Sequence, residues 1–165
     1  MPRHAVIRAI TIGLSLWSGA VPPLGAQDTA AGRGAVLAVA DSALSAITRG
    51  DMAALTDLML PDATLYPSRT TDGVTRARAR SRAEQRASPM TARITERGFR
   101  PEVRVDGPIA TVWYPYDLYV DGTWSHCGVD VFVMFQIDGR WKIANLSWTA
   151  VQPPACERHP DGPPT

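Results

Sequence analysis

Beyond residue 26, no stretch approaches the roughly 20 consecutive apolar residues that a membrane helix needs, so the body of the chain reads as soluble. Charge of either sign is not in excess, since 17 Lys and Arg face 16 Asp and Glu. That balance removes the electrostatic basis for general nucleic-acid binding, and no nucleic-acid partner is expected. A nucleophile elbow, a glycine-rich phosphate loop and a cluster of metal ligands are all missing, so no metal and no cofactor is assigned. Internal repeats are missing too, which excludes a solenoid. Cysteine is limited to Cys127 and Cys156, enough for one intramolecular bond at most.

What is present begins with an export signal. Arg3 and Arg8 precede an apolar run from Ala9 to Trp17, and Pro22 to Ala26 ends in small residues, so cleavage is expected after Ala26. The expected location is periplasmic or secreted. No Cys near that site offers a thiol for lipidation, and the mature form is expected to be free of the membrane. Of the 165 residues, 139 would remain, enough for one domain with a single core. Cys127 and Cys156 would then meet an oxidising compartment, where they can form a disulfide. Cys156 and His159 also have a metal-like spacing, but His126 and Cys127, as strand neighbours, point to opposite faces, which disfavours a zinc site.

Residues 27–32 read as a disordered linker and 33–151 as the domain, followed by a Pro-rich tail over 152–165. Val36, Val39, Ala43 and Ile47 recur at helical spacing, and Gly50 stops that helix. Asp51 caps a second helix carrying Met52, Leu55, Leu58 and Met59 up to Pro61. A short strand is expected over 63–66, then a polar loop with Asp72 and Gly73, then a third helix from Thr75 through TRARARSRAEQR. The five arginines of that segment would spread around the helix as a solvated surface. From Arg93 onward the period becomes two, with Ile94 and Glu96 alternating with Arg93, Thr95 and Arg97. Three long strands follow, over 109–120, 123–137 and 140–151, separated by Asp121-Gly122 and Asp138-Gly139, the strongest short-range hairpin signal. Three helices followed by a strand meander describe an α+β domain.

Two-residue turns fix a register. Val120 would oppose Thr123, Tyr119 Trp124, Asp117 His126 and Trp113 Asp130; across the next turn, Gln136 would oppose Trp141, Phe132 Asn145 and Asp130 Ser147. One face then carries Trp113, Asp117, Tyr119, Trp124, His126, Asp130, Phe132, Asn145 and Ser147, a mixture of aromatic and ionisable groups suited to a ligand pocket. The other face, with Val112, Tyr114, Tyr116, Leu118, Val129, Val131, Val133, Leu146 and Trp148, is almost wholly apolar and fits burial against helices or in a dimer. A one-residue bulge would exchange the two. Asp117 beside His126 would orient the imidazole for acid–base work or form a structural ion pair, and Asp130 is the other candidate orienter.

The stretch from Pro101 to Trp148, with SHCGVD and GRWKI its most distinctive pieces, resembles the SnoaL-like bacterial branch of the nuclear transport factor 2-like superfamily, described as lumazine-binding or polyketide-cyclase-like proteins. RGDMAALTDLMLPDA resembles that superfamily's entry helices and first strand, so the resemblance covers residues 33–151. It implies a cone-shaped fold, about three N-terminal helices on a curved, mostly antiparallel sheet, often paired as a homodimer through sheet faces. Chemistry varies across the superfamily, so function rests on the site. Three readings stand: a small-molecule-binding protein of unknown ligand, a cofactor-independent isomerase, lyase or hydrolase using His126 with Asp117 or Asp130, and a structural interaction module.

Overall fold

The computed structural model describes residues 28–164, and the expected export signal lies outside them. Helix α1 (Ala30–Thr48) starts inside the segment read as a linker, because the Thr29 side chain accepts the Gly32 amide at 3.0 Å and caps it. Its length and composition would suffice to cross a bilayer, contrary to the expectation that no later stretch comes near this. The apolar stripe has another use: Val36, Ala40, Ala43, Leu44 and Ala46 are buried in the hydrophobic core. Gly50, at φ 68°, ends the turn, and Asp51 caps α2 (Met52–Asp57) through the Ala54 amide at 2.8 Å.

Leu58 and Met59 do not continue that helix. Strand β1 (Met59–Thr71) begins there and runs parallel to the last strand, far longer than the expected four residues. Pro61 is tolerated because the register shifts between Met59 and Thr64, so the strand needs no ladder bond from it. Asp72 and Gly73 then take positive φ values of 52° and 76° and turn the chain back as β2 (Val74–Ala77). This corrects the expected third helix. The arginine-rich segment has no apolar stripe to bury, and an Asp-Gly turn makes it a hairpin arm. After β3 (Arg80–Ser81), only Arg82–Arg86 is helical, as α3, closed by a capping box between Ser81 and Glu84.

Strands β4 (Ile94–Gly98) and β5 (Glu102–Asp106) both pair with β6 (Ile109–Val120), which continues into β7 (Thr123–Ile137) and β8 (Arg140–Ala150) as expected. The eight-stranded sheet has the order β2-β1-β8-β7-β6-β4, with β3 on β1 and β5 on β6, and among the described residues only the β1–β8 pair is parallel. Three helices thus pack on a curled mixed sheet, a half-barrel closed by α1. Val36, Ala40 and Leu44 share the core with Val112, Phe132, Met134, Ile143 and Leu146.

Both hairpins carry a bulge, and the bulges decide the faces. Tyr119 opposes Trp124 as expected, but Leu118 then opposes His126, so Ser125 is an extra residue. In the second hairpin Gln136 opposes Trp141 as expected, but Val133 opposes Asn145, so Ala144 is extra. Beyond these points every expected pair is displaced: Asp117 meets Cys127, Trp113 meets Val131, Phe132 meets Leu146 and Asp130 meets Trp148. The concave face therefore combines the apolar set of β6 and β8 with the mixed set of β7.

Candidate functional site

The concave face encloses a cavity of about 210 Å³ between the sheet and the helices. Across one rung, Glu96 of β4, Leu118 of β6 and His126 of β7 are paired neighbours. Deeper in, Asp130 is paired with Tyr114 on one side and Trp148 on the other. Helices supply the opposite wall through Ile47, Met52, Leu55 and Gln85.

Asp130 is 3% exposed, and its Oδ2 accepts no hydrogen bond. Its strand partner Tyr114 is engaged elsewhere, donating to Asp41 Oδ1 at 2.8 Å. Burial raises the Asp130 carboxyl well above the usual range, and the Glu96 carboxyl raises it further. Glu96 is itself pushed up to about 8 by burial. Two carboxyls in one weakly solvated space resist ionising together, so the pair holds protons that isolated acids would release. Tyr116 is raised by its burial and then by the charge of Asp130, and its hydroxyl donates to the Thr149 carbonyl at 2.7 Å.

His126 also lines the cavity. Its Nδ1 lies 3.0 Å from the Ser125 hydroxyl and its ring stands edge-on to Tyr116 at 5.8 Å. Burial lowers its pKa, with Arg69 adding to the effect, so the imidazole is neutral at neutral pH.

Asp117 is not beside His126. It lies on the convex face, fully buried, accepting from Arg97 Nε at 3.0 Å, Arg97 Nη2 at 2.6 Å and the His159 amide at 3.0 Å. The extra residue Ser125 is the reason, and the expected Asp117–His126 constellation is withdrawn. Trp113 projects from the convex face and is 52% exposed. Tyr119 lies under Arg97 of β4 at 5.4 Å, and Trp124 lies under Arg158 of the C-terminal tail at 3.7 Å. Asn145 donates to the Thr64 carbonyl at 3.0 Å and accepts from Ser147 at 2.7 Å, a strand-to-strand link outside the cavity. Phe132 is on the concave side but fully buried in the core. Of the expected site residues, His126 and Asp130 line the cavity.

Glu96, Tyr116 and Trp148 were not expected there. A signal for Glu96 existed: it is the ionisable residue on the same strand face as Ile94. Cys127 and Cys156 are joined in a disulfide with their Cα atoms 5.9 Å apart, which removes both thiols from any zinc site. Among the described residues no group of three or more potential metal ligands gathers.

A family model described as SnoaL-like domain matches residues 36–150. Among solved structures, the chain is similar to a cystatin-like protein of unknown function from Nostoc punctiforme, with TM-score 0.61, 12% identity, and 77% of this chain and 95% of that one covered. A nuclear transport factor 2-like protein with a cystatin-like fold from Novosphingobium aromaticivorans gives TM-score 0.58 at 16% identity, covering 74% and 84%. A nuclear transport factor 2-like protein from Cytophaga hutchinsonii gives TM-score 0.56 at 20% identity, covering 72% and 98%. At these identities the likeness shows the fold alone. No curated protein matches the sequence.

Proposed function

The chain belongs to the SnoaL-like domain family, of nuclear transport factor 2-like fold, and from that membership we propose that its concave cavity binds a small, largely apolar molecule through the Asp130 carboxyl. One observation carries the reading. Asp130 is buried in an apolar wall with an oxygen left without a partner, at a cost of about 1–3 kcal/mol that a ligand's hydrogen bond would offset. A cavity left open by the chain's own side chains also weighs against a purely structural module. The test is a panel of aromatic and heterocyclic metabolites, followed by thermal unfolding and Trp fluorescence. Trp148 lines the cavity and should report occupancy. At a ligand concentration of 100 Kd the expected stabilisation is about 2.7 kcal/mol. A saturating panel that changes neither signal contradicts the reading.

Acid–base catalysis is the second reading, favoured by the pairing of two proton-holding carboxyls, Glu96 and Asp130, with the neutral His126. An isomerase, lyase or hydrolase would use Asp130 and Glu96 in place of Asp117. Deuterium uptake from D2O into a bound ligand, lost in Asp130→Asn, would support it. Binding without exchange would leave the protein a binder.

Export is proposed on the signal-like residues 1–26, with the Cys127–Cys156 disulfide as support from redox chemistry. Mass analysis of protein from the cell envelope and medium should find a chain beginning at Gln27. Uncleaved protein confined to the cytoplasm would contradict export.

A further inference from the structure

A second cavity, of about 270 Å³, continues the concave face toward its rim and shares His126 and Trp148 with the first. Its other walls include Ser68, Arg69 and Arg76. Arg69 and Arg76 are directly opposed across the β1–β2 hairpin, an arrangement in which like charges repel. Neither guanidinium has an ion pair or side-chain hydrogen bond among the described residues. Their neighbours in the arginine-rich segment are engaged: Arg78 with Glu84, Arg80 with Gln85, and both Arg82 and Arg86 with Asp57. From Arg69 to Arg86, the two arginines without a side-chain partner among the described residues are thus the two that line the rim cavity.

We propose that this rim is an anion subsite, and that the ligand of the inner cavity is an organic anion whose carboxylate, sulfonate or phosphate reaches Arg69 and Arg76. The inference rests on the binding reading above and adds the chemical class of the ligand. An anion bridging two opposed guanidiniums removes their repulsion and gains charge-assisted hydrogen bonds. The apolar body lies over Trp148 and Leu118, and the far end meets Asp130, which burial and Glu96 keep protonated and able to donate. One molecule then spans a cationic rim, an apolar middle and a neutral acid floor.

A matched pair of fluorescent probes tests this. N-phenyl-1-naphthylamine and 8-anilino-1-naphthalenesulfonate share one ring system, and only the second carries an anion. The intact protein should bind the sulfonate about tenfold tighter, with an advantage that shrinks as salt is added. In the Arg69→Gln/Arg76→Gln double variant the advantage should vanish while the amine binds as before. Arg104→Gln, at an exposed position of β5 that lines neither cavity, should leave both affinities unchanged. Equal affinity for the two probes in the intact protein would overturn the anion subsite and leave the cavity reading standing, as would a sulfonate advantage that survives in the double variant. Failure of both probes to bind would overturn the two together.

Discussion

Glu96 and Asp130 make a prediction whose sign follows from proton counting. The ordinary carboxyl of Glu96 would release its proton near 4.5, but burial holds it in the folded chain up to about 8. Between those values the folded state binds more protons than the unfolded state, so this group's contribution to stability falls as pH rises. His126, whose folded pKa is lowered, works in the opposite direction only below its ordinary 6.5, where the unfolded chain takes up the proton first. Thermal unfolding between about pH 6.5 and 8 therefore isolates the acids. The midpoint of the natural chain should fall across that window, and Glu96→Gln should flatten the fall by a few degrees. A midpoint with the same slope in both proteins would mean that Glu96 is solvated and ionised throughout.

At the scale of the elements, two single residues decide which side chains meet. Ser125 and Ala144, the extra residues of the two hairpins, turn His126 and Asp130 toward the helices and leave Trp113, Asn145 and Ser147 outside. Gly128 lies between these bulges on β7, opposite Tyr116, and a Cβ there would collide with the backbone carbonyl of Thr149. Backbone cannot yield as a flexible side chain can. Gly128→Ala should therefore destabilise the fold by about 1–3 kcal/mol in denaturant unfolding, and a change within ~0.5 kcal/mol would contradict this close approach.

These same elements show what was legible in the residues. The Asp-Gly pairs, alternation and turn spacing marked β6, β7 and β8 to within a residue, and the first pairs after each turn were correct. Bulges carry no such local mark when neither extra residue is glycine, so the faces beyond them could not be read. Asp72-Gly73 carried the very signal that identified the other hairpins. The flanking arginines resembled a solvated helix, and β2, exposed along its whole length, has no apolar alternation to contradict that. The parallel β1–β8 pairing joins residues some eighty positions apart and depends on tertiary closure. His126 and Asp130 lie on one strand four positions apart, so alternation alone puts them on a common face, and both line the cavity.

Across the whole molecule, the C-terminal tail is a clamp over the convex face. The Cys127–Cys156 disulfide closes a loop over a separation of 29 residues. Beyond it, Glu157 meets Arg100 at 2.6 Å, Arg158 covers Trp124, and the His159 amide completes the shell of Asp117. Chain-entropy arguments assign roughly 3–4 kcal/mol to a crosslink of this span. Cys156→Ser should lower the denaturation free energy by about that amount. It should also speed amide exchange at His159, because the tail would leave Asp117. A loss under ~1 kcal/mol with unchanged exchange would show that the other contacts suffice to hold the tail.

If the ligand sits in the concave cavity, filling that cavity should expel it. Leu118 projects into the cavity between Glu96 and His126, and Leu118→Trp would fill the part of its 210 Å³ that separates those two residues from Trp148. The added bulk should cost about 1–3 kcal/mol, with Leu118→Phe as the milder version if the larger side chain prevents folding. Fluorescence titration with N-phenyl-1-naphthylamine should then show at least about tenfold weaker binding by the folded variant than by the natural chain. Undiminished binding by a folded, cavity-filled protein would place the ligand elsewhere and rule out the concave cavity as its site.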